Sequence, residues 1–581
     1  MKYDQESHEF MIKFLSHILV ILIPVLVVAQ SGFDLTGRAS LRTVHVQYDE
    51  TSEILPDSID SDAYGKTTLI PGLNHRLNLA LFGRTKDLDM NFLSDLDYND
   101  WNKLNFRRFS LEMRFYKHEV MVGDYFESIN ETFLYSKEIR GGRYRLNIDD
   151  VFGVNSYLKF NAMGGIVQRA ATEGDRFLDL YKQFETSGQY RRVMAAADAR
   201  LGLTGSYEVA INYLWGEDQQ SSIDTSLNEP LANIVYGILS NYYLWNRNIR
   251  LFGEYYQSRK DTLKANNIRD YSYNSGIDFQ YNAIKLLLLY QRLGYEYFTI
   301  GNPFLENDKK GFKGLVGYIL SNVFSLDFDF EVYKNNLDNN YTLPTTDTRL
   351  MNIGATTSIS GWPELTLRYG LRRDKSNTIY DEDENPINND RTSEKFEGGL
   401  GFYINNTRFA LNALQVDIND KSLLSSGTPL GTDQFIVSFN LYTTAIKNFF
   451  FSSGTVYSQL NMTNDQKYDN IYLYGTFRWD IIPRILKLET DLTFIKNKAT
   501  GGGDQDVLSN YNYLVGEISL EYFFSNQFSF KLISGTDQKK YSYSIDQALE
   551  IIADPVYGPT YFNSNESYNA IILGGEINCI F

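Results

Sequence analysis

The chain has 581 residues, of which 15% are aromatic, and a formal net charge of −17. Its single cysteine, Cys579, excludes disulfide-stapled scaffolds and metal sites built from clustered cysteines. The excess of acidic over basic residues argues against a nonspecific nucleic-acid binder, which needs a basic face to neutralise phosphates. The high aromatic content argues against intrinsic disorder.

The N-terminus predicts a cleaved signal peptide. An apolar run of about fifteen residues precedes Gln30, shorter than the roughly twenty residues that a membrane-spanning helix needs and of the size of a signal-peptide core. Val27 and Ala29 place small residues where signal peptidases require them. We therefore expect a signal peptide at 1–29 and a single mature domain at 30–581. An uncleaved N-terminal anchor is the alternative.

After this segment, apolar and polar residues alternate with a period of two almost to the end of the chain. Alternation of this kind is typical of β-strands with one apolar and one polar face. The clearest examples are residues 108–115, 325–334, 364–372, 486–494 and 516–522.

The connections between these strands alternate between short and long. Tight turns are predicted at residues 245–247, 281–282, 361–363, 405–406, 482–483 and 525–526. The longer polar stretches are 216–230, 294–310, 334–348, 375–393, 419–433, 497–506 and 537–565. Transmembrane barrels have short periplasmic turns and long outer loops. The sequence therefore predicts an all-β fold, an antiparallel up-and-down transmembrane β-barrel of about 26 strands, within a range of roughly 22 to 26.

The last strand carries Ile577, Cys579 and the terminal Phe581 on one face. In this feature the sequence resembles bacterial outer-membrane β-barrel proteins, whose final strand ends in Phe and is recognised by the barrel-insertion machinery. The resemblance implies contact with outer-membrane lipid and a location in the outer membrane of a Gram-negative (diderm) bacterium. Segments 122–128 and 138–142 are also similar to uncharacterised outer-membrane barrels of Bacteroidota-type bacteria, which have no assigned activity.

An apolar face turned to lipid leaves the charged face turned to the lumen. A barrel of more than about 16 strands encloses a lumen too wide for side chains to fill, and lumenal charges can set the selectivity of a pore. For any one of these residues the alternative is that it only solvates the wall or pairs across strands. The candidate lumen-lining residues are Arg108, Arg114, Arg250, Glu254, Asp327, Asp329, Glu331, Arg368, Arg372, Glu489, Asp491, Glu517 and Glu521.

Two functions remain open at this point. The first is a pore or transport channel for polar solutes. The second is a non-conducting barrel that serves as a structural scaffold or binds a surface partner, with a plugged lumen. Segment 124–142 is the candidate to fold inward, because its alternation is broken by Phe126, Phe133, Leu134 and Tyr135. No plug domain of over about a hundred residues precedes the strands, which disfavours an energised siderophore-type receptor.

The sequence predicts neither an enzyme nor a bound cofactor or metal. The mature chain has three histidines, His45, His75 and His118, and none lies in a metalloprotease motif or beside a nucleophile elbow. Acidic residues at 381–384 and 501–506 can present carboxylates to calcium. We favour solvated acidic loops, since neither segment has the ligand spacing of an EF-hand.

Overall fold

Twenty-six strands of the computed structural model form one antiparallel sheet that closes on itself. The structure describes residues 34–49, 68–99, 104–171, 176–179, 182–185, 189–223, 229–262, 267–321, 323–381, 384–423, 431–463, 465–501, 510–541 and 567–581. The barrel strands, in chain order, are β1 (Asp34–Tyr48), β2 (Gly72–Arg84), β3 (Leu88–Asn99), β4 (Leu104–Phe115), β5 (His118–Glu127), β6 (Lys137–Asp149), β7 (Ser156–Gln168), β8 (Arg191–Leu203), β9 (Tyr207–Gln219), β10 (Leu231–Leu244), β11 (Ile249–Thr262), β12 (Ile268–Tyr281), β13 (Ile284–Leu293), β14 (Lys309–Leu320), β15 (Phe324–Lys334), β16 (Thr346–Thr357), β17 (Glu364–Ser376), β18 (Asp390–Ile404), β19 (Thr407–Asp420), β20 (Thr432–Thr443), β21 (Phe449–Met462), β22 (Lys467–Ile482), β23 (Leu486–Thr500), β24 (Tyr511–Phe523), β25 (Phe528–Tyr541) and β26 (Tyr568–Ile580).

The first and last strands close the barrel. β1 pairs with β2 on one side and with β26 on the other, in a ladder from Arg38 opposite Ile580 to Tyr48 opposite Ala570. The backbone of Gly37 continues this ladder to the terminal residue, since its N–H donates to the Phe581 carbonyl at 2.7 Å. Closure removes the two open edges that an isolated sheet would expose to lipid. The predicted fold and strand number are confirmed.

Short turns gather at one end of the barrel and longer connections at the other. The six tight turns expected from the sequence are present, and Asn282 and Asn405 take the positive φ angles, 50° and 52°, that such turns require. We call this the turn end, and the opposite end the loop end. Two small sheets are separate from the barrel sheet, and their strands are Thr68–Leu69, Arg176–Asp179 and Lys182–Glu185, and Ile379–Tyr380 and Pro386–Ile387.

The outer face of the wall is apolar. On β15, Leu326 and Val332 are exposed on the outside, whereas Asp327 and Asp329 lie on the opposite, inner face. Aromatic rings gather near the turn end, where Trp245 stacks on Tyr281 with ring centroids 4.8 Å apart. A barrel that contacts lipid has an apolar outer belt flanked by girdles of aromatic residues. Within the described residues, no helix has the length and apolarity needed to cross a membrane.

Candidate functional site

The hairpin of β5 and β6 bends into the lumen. In its ladder Arg143 lies opposite Met121, so Glu127 is six residues further along β5, a distance of about 20 Å in an extended strand. Nevertheless Arg143 Nη1 lies 3.0 Å from Glu127 Oε2, and the same guanidinium also contacts Glu119. These contacts require β5 to bend towards its own inner face.

A buried cluster of four charges holds the bend. Arg145 Nη1 lies 3.2 Å from Glu119 Oε1, and Arg145 Nη2 lies 2.8 Å from Glu127 Oε1. Arg143 and Glu127 are buried, so each charge relies on its partners rather than on water. Removing one partner of a buried pair typically costs about 3–5 kcal/mol. The cluster therefore fastens the folded-in half of the hairpin to the half that remains in the wall.

Glycines allow the close backbone approach at the bend. Gly123 has a φ of +113°, and a Cβ built on it would lie 2.0 Å from the Phe109 carbonyl oxygen. A Cβ on Gly141 would lie 2.0 Å from the carbonyl oxygen of Gly164 on β7. Neither position can accept a side chain without moving backbone. The bend thus falls in the two segments, 122–128 and 138–142, that were notable in the sequence.

Side chains replace the strand that has left the wall. The ladder between β4 and β5 ends at Ser110, although β4 continues towards the loop end. Beyond that point the Phe109 N–H donates to the Asp124 carboxylate at 2.9 Å. Arg140 Nη2 donates to the Arg107 carbonyl at 3.0 Å and to Asp124 Oδ2 at 2.9 Å. Backbone groups of β4 that lost a strand partner are in this way hydrogen-bonded again.

The tip of the hairpin, residues 128–136, packs on the inner wall, and we call it lumen loop 1. Phe133 and Leu134 are fully buried, and the Phe133 ring stacks on Tyr256 of β11 with centroids 5.4 Å apart. Tyr256 lies on the inner face, since Leu251 and Tyr255 are exposed on the outer face of the same strand. Burial of side chains of this size contributes about 1.5–3 kcal/mol each. Packing therefore favours the folded-in position.

Polar contacts also fix lumen loop 1 on the wall. Thr132 Oγ1 donates to Glu254 Oε1 at 3.3 Å, and Asn130 Nδ2 donates to the Tyr256 hydroxyl at 2.5 Å. The Tyr256 hydroxyl in turn donates to Asn212 Oδ1 at 3.0 Å. Glu254, one of the candidate lumen-lining residues, therefore lies beneath lumen loop 1 rather than beside open water.

A second connection, residues 294–308, also enters the barrel, and we call it lumen loop 2. The Tyr297 hydroxyl donates to the Thr132 carbonyl at 2.7 Å, and Thr299 Oγ1 donates to the Phe133 carbonyl at 2.7 Å. Burial raises the pKa of the Tyr297 phenol, so this donor keeps its proton. The two loops are therefore joined to each other.

Lumen loop 2 is bound to the inner wall as well. The Ile300 N–H donates to Asn233 Oδ1 of β10 at 3.0 Å, and Asn233 Nδ2 donates to the Phe298 carbonyl at 3.1 Å. The sequence predicts residues 294–310 to be an outward-facing polar loop, and the structure differs. Tyr297 and Ile300 are fully buried there, and burial of these apolar side chains favours the inner wall over water.

The lumen consequently has two unlike sides. On the filled side, the inner face of β8–β11, Leu214 and Val235 are fully buried in one cluster with the two loops. On the wet side, the inner face of β15–β23, the side chains of Arg368 and Arg478 are about half exposed. Charged residues on the wet side thus face solvent inside the barrel.

Every candidate lumen-lining residue lies on the inner face of its strand, and most contact a neighbouring strand or loop. On the filled side and beside the bend, Arg250 Nη2 lies 3.1 Å from Asp278, and Arg114 Nε lies 3.3 Å from Glu119. Arg108 is exposed and lines a cleft that also includes Asp95.

On the wet side the candidates nearest to β14 form a continuous polar strip. Asp329 accepts a hydrogen bond from Asn352 at 2.7 Å, and Glu331 pairs with Lys309. The strip continues with Asp327, with Arg368, which lies 3.9 Å from Glu397, and with Arg372, which lies 2.9 Å from Asp374.

The remaining candidates lie on β23 and β24. Asp491 accepts from Thr476 at 2.7 Å, Glu517 pairs with Arg42 at 2.6 Å, and Glu521 accepts from Ser529 at 2.5 Å. Glu489 is surrounded by three cations, and its carboxylate lies 2.9 Å from Lys487, 3.0 Å from Arg478 and 3.3 Å from Lys531. None of these three basic residues was among the candidates from the sequence. Lys487 lies two residues from Glu489 on the same face of β23, whereas Arg478 and Lys531 come from β22 and β25, which only the folded barrel brings close to it.

A cavity of about 720 Å³ lies where the two lumen loops meet the wet side. Three aromatic side chains from the folded-in segments line it and are exposed, Phe126 at 60%, Tyr135 at 49% and Phe304 at 92%. Its other lining residues include Gln291 and Lys313 from the wall strands. The cavity is thus formed jointly by the loops and the barrel wall.

A closed barrel with an apolar outer face and a charged inner face is stable with lipid outside and water inside. The chain is an outer-membrane β-barrel. No protein-family model matches it, and no curated protein matches it. This barrel is nevertheless similar to several solved structures. The siderophore receptor PirA from Pseudomonas aeruginosa is 13% identical with a TM-score of 0.41, over 94% of this chain and 80% of that chain.

Two further solved structures show a similar likeness. The copper transporter OprC is 9% identical with a TM-score of 0.43, over 94% of this chain and 83% of that chain. The ferric enterobactin receptor PfeA from Pseudomonas aeruginosa is 8% identical with a TM-score of 0.37, over 94% of this chain and 80% of that chain. Identities this low do not assign a substrate.

The remaining sequence predictions concern chemistry and processing. The part of the chain that the structure describes holds no group of three or more His, Cys, Asp and Glu residues suited to a metal ion. His75 contacts the Thr43 hydroxyl at 3.0 Å, and His118 contacts the Tyr144 hydroxyl at 2.8 Å. The absence of an enzymatic role remains a prediction. The signal peptide at 1–29 lies outside the described residues, and the acidic segments 381–384 and 501–506 lie partly outside them.

Proposed function

We propose that the protein is a channel that lets polar solutes cross the outer membrane. The observation that carries this proposal is the difference between the two sides of the lumen. Half-exposed charges line the wet side, whereas packed loops cover the filled side. Arg368, Arg372 and Arg478 offer a solvated, charged surface along the inner wall. Such surfaces favour hydrated solutes over apolar ones and discriminate among ions.

In this proposal the β5–β6 hairpin narrows the path. Lumen loops 1 and 2 occupy part of the cross-section and are bound to the wall through Tyr256, Glu254 and Asn233. A wide barrel with inward-folded segments passes smaller solutes than the empty barrel would. Assignment to the Bacteroidota-type barrels rests only on segments 122–128 and 138–142, which contain the bend.

One observation favours a second function. The packing of Phe133, Leu134 and Ile300 is as complete as in a protein core, and a plug of this kind also suits a non-conducting scaffold or a surface-interaction module. The two functions differ in whether solute crosses the barrel.

Planar-bilayer recording tests the proposal. Purified protein is inserted after its folding has been checked by heat-modifiable migration on gels and by β-sheet circular dichroism. We expect stable conductance steps whose size scales with salt concentration. Electrical silence of a preparation that passes both folding checks would refute the channel and leave the plugged scaffold.

A further inference from the structure

The cavity at the meeting of the lumen loops and the wet side has the dimensions of a ligand site. Its volume is about 720 Å³, and pockets for small ligands commonly enclose about 300–1,000 Å³. It borders the solvated part of the lumen, so a solute in the proposed path reaches it directly.

Exposed aromatic rings distinguish this cavity from the rest of the folded-in segments. Phe126 and Tyr135 come from the β5–β6 hairpin and Phe304 from lumen loop 2, yet they line one space and are largely exposed. Keeping such rings in contact with water is unfavourable, whereas the neighbouring Phe133 and Leu134 are fully buried. Exposed apolar patches rimmed by polar groups often mark binding sites.

The charges around the rings are nearly balanced. The cavity is lined by four carboxylates and three ammonium groups, from Glu131, Glu138, Glu306, Glu331, Lys137, Lys309 and Lys313. Lys309 pairs with Glu331 and lies 4.0 Å from Glu306. A set with nearly equal numbers of each sign gives no strong preference for a cation or an anion. The ligand is therefore expected to be neutral.

The polar lining groups have the donors and acceptors that hydroxyl groups of a ligand need. Carboxylates accept, ammonium groups donate, and the amides of Gln291 and Asn302 can do both. A sugar ring presents hydroxyl groups at its edge and C–H groups on its faces. Its faces pack on aromatic rings by dispersion while its edge exchanges hydrogen bonds.

We propose that this cavity binds a neutral oligosaccharide, with sugar rings packed on Phe126, Tyr135 and Phe304. The inference rests on the proposed function, because the oligosaccharide is then a solute of the channel. Binding would occur between segments of the hairpin, lumen loop 2 and the wall. A bound ligand would therefore contact the elements that narrow the path.

Isothermal titration calorimetry of the full chain tests this proposal. The protein is held in a detergent without a sugar headgroup and titrated with maltohexaose, cellohexaose, laminarihexaose and the acidic hexagalacturonate. We expect at least one neutral hexasaccharide to bind and to bind more tightly than hexagalacturonate. The double variant Phe126→Ala with Phe304→Ala should bind it at least tenfold more weakly, or about 1.4 kcal/mol.

A matched control uses two exposed aromatic residues outside the cavity. Phe152→Ala with Tyr341→Ala should leave the affinity unchanged, since these residues lie in other connections and are 77% and 92% exposed. Absence of binding by every neutral hexasaccharide, tighter binding of hexagalacturonate, or an unaltered Phe126/Phe304 variant would each overturn the proposal. Conductance steps without oligosaccharide binding would leave the channel intact, so the two proposals fail separately.

Discussion

The backbone N–H of Phe109 donates a hydrogen bond to the carboxylate of Asp124 at 2.9 Å, where a neighbouring strand would otherwise supply a carbonyl. This single contact marks the place at which β5 leaves the wall and enters the lumen. Arg140, which binds the same carboxylate and the Arg107 carbonyl, completes the substitution of side chains for a strand. The barrel can therefore release a hairpin inward without leaving these backbone groups unpaired.

Removing the Asp124 carboxylate should destabilise the barrel. Asp124→Ala leaves the Phe109 N–H without its acceptor and removes the carboxylate that pairs with the Arg140 guanidinium, and we expect a loss of about 3 kcal/mol in the free energy of unfolding. Urea unfolding in lipid vesicles measures it. The control is Asp89→Ala, because Asp89 pairs with Arg84 at 2.9 Å on an exposed surface, and its loss should cost under about 0.5 kcal/mol. Equal effects of the two variants would contradict the bridging role of Asp124.

A side chain at the bend should disturb folding. In Gly123→Ala the new Cβ would meet the Phe109 carbonyl oxygen at 2.0 Å, and its φ of +113° is strained for any residue with a Cβ. After refolding, we expect a smaller fraction of the protein to show the heat-modifiable gel migration of a folded barrel. Gly253→Ala serves as the control, since its nearest neighbour would lie 3.8 Å away. Normal refolding of Gly123→Ala would show that the bend does not require this glycine.

Charges on the wet side should govern ion selectivity. Arg368→Glu with Arg372→Glu reverses two half-exposed inner-wall charges, so the reversal potential in a salt gradient should move towards cation preference. Arg349→Glu is the matched control, because Arg349 shares the outer face of β16 with the exposed Met351 and Ile353. An equal shift in both proteins would place the conducting path elsewhere.

The terminal residue should matter for assembly. The Phe581 ring lies against Gly37, where a Cβ would approach the ring to within 2.8 Å, and the two backbones exchange hydrogen bonds. We expect Phe581→Ala, or deletion of Phe581, to lower the folded fraction in outer-membrane preparations. Tyr341→Ala, in an exposed connection, should not. Unaltered insertion of both Phe581 variants would contradict its part in the C-terminal signal.

The barrel could be predicted from the sequence because lipid and water impose opposite polarities on the two faces of each strand. Leu326 beside Asp327 already separates outside from inside, and Asn282 and Asn405 mark turns that need positive φ. Each of these signals is local. They can therefore be recognised in the sequence without knowing which strands are neighbours in the barrel.

The site could be predicted only in part, because its contacts depend on the bend. The period-two alternation places Glu119 and Glu127 on the same face of β5. It does not predict the bend that brings both carboxylates into contact with Arg143. The available signals were the aromatic residues of segment 124–142 and the adjacent glycines. For lumen loop 2, the aromatic and apolar residues of the stretch, among them Tyr297 and Ile300, were the available indication. The stretch was nevertheless expected to be an outer loop because of its polar and charged residues.

The conductance of a variant barrel whose β5–β6 hairpin is released from the inner wall is the most direct test that this hairpin narrows a solute path. In Phe133→Ser with Leu134→Ser, the apolar anchors of lumen loop 1 are lost while the wall is unchanged, and Phe152→Ser in an exposed turn is the control. We expect stable conductance steps for wild type and control, and larger steps for the double variant, in planar bilayers. Silence of all three correctly folded proteins, or identical steps in the double variant and wild type, would contradict a solute path narrowed by the inward-folded hairpin.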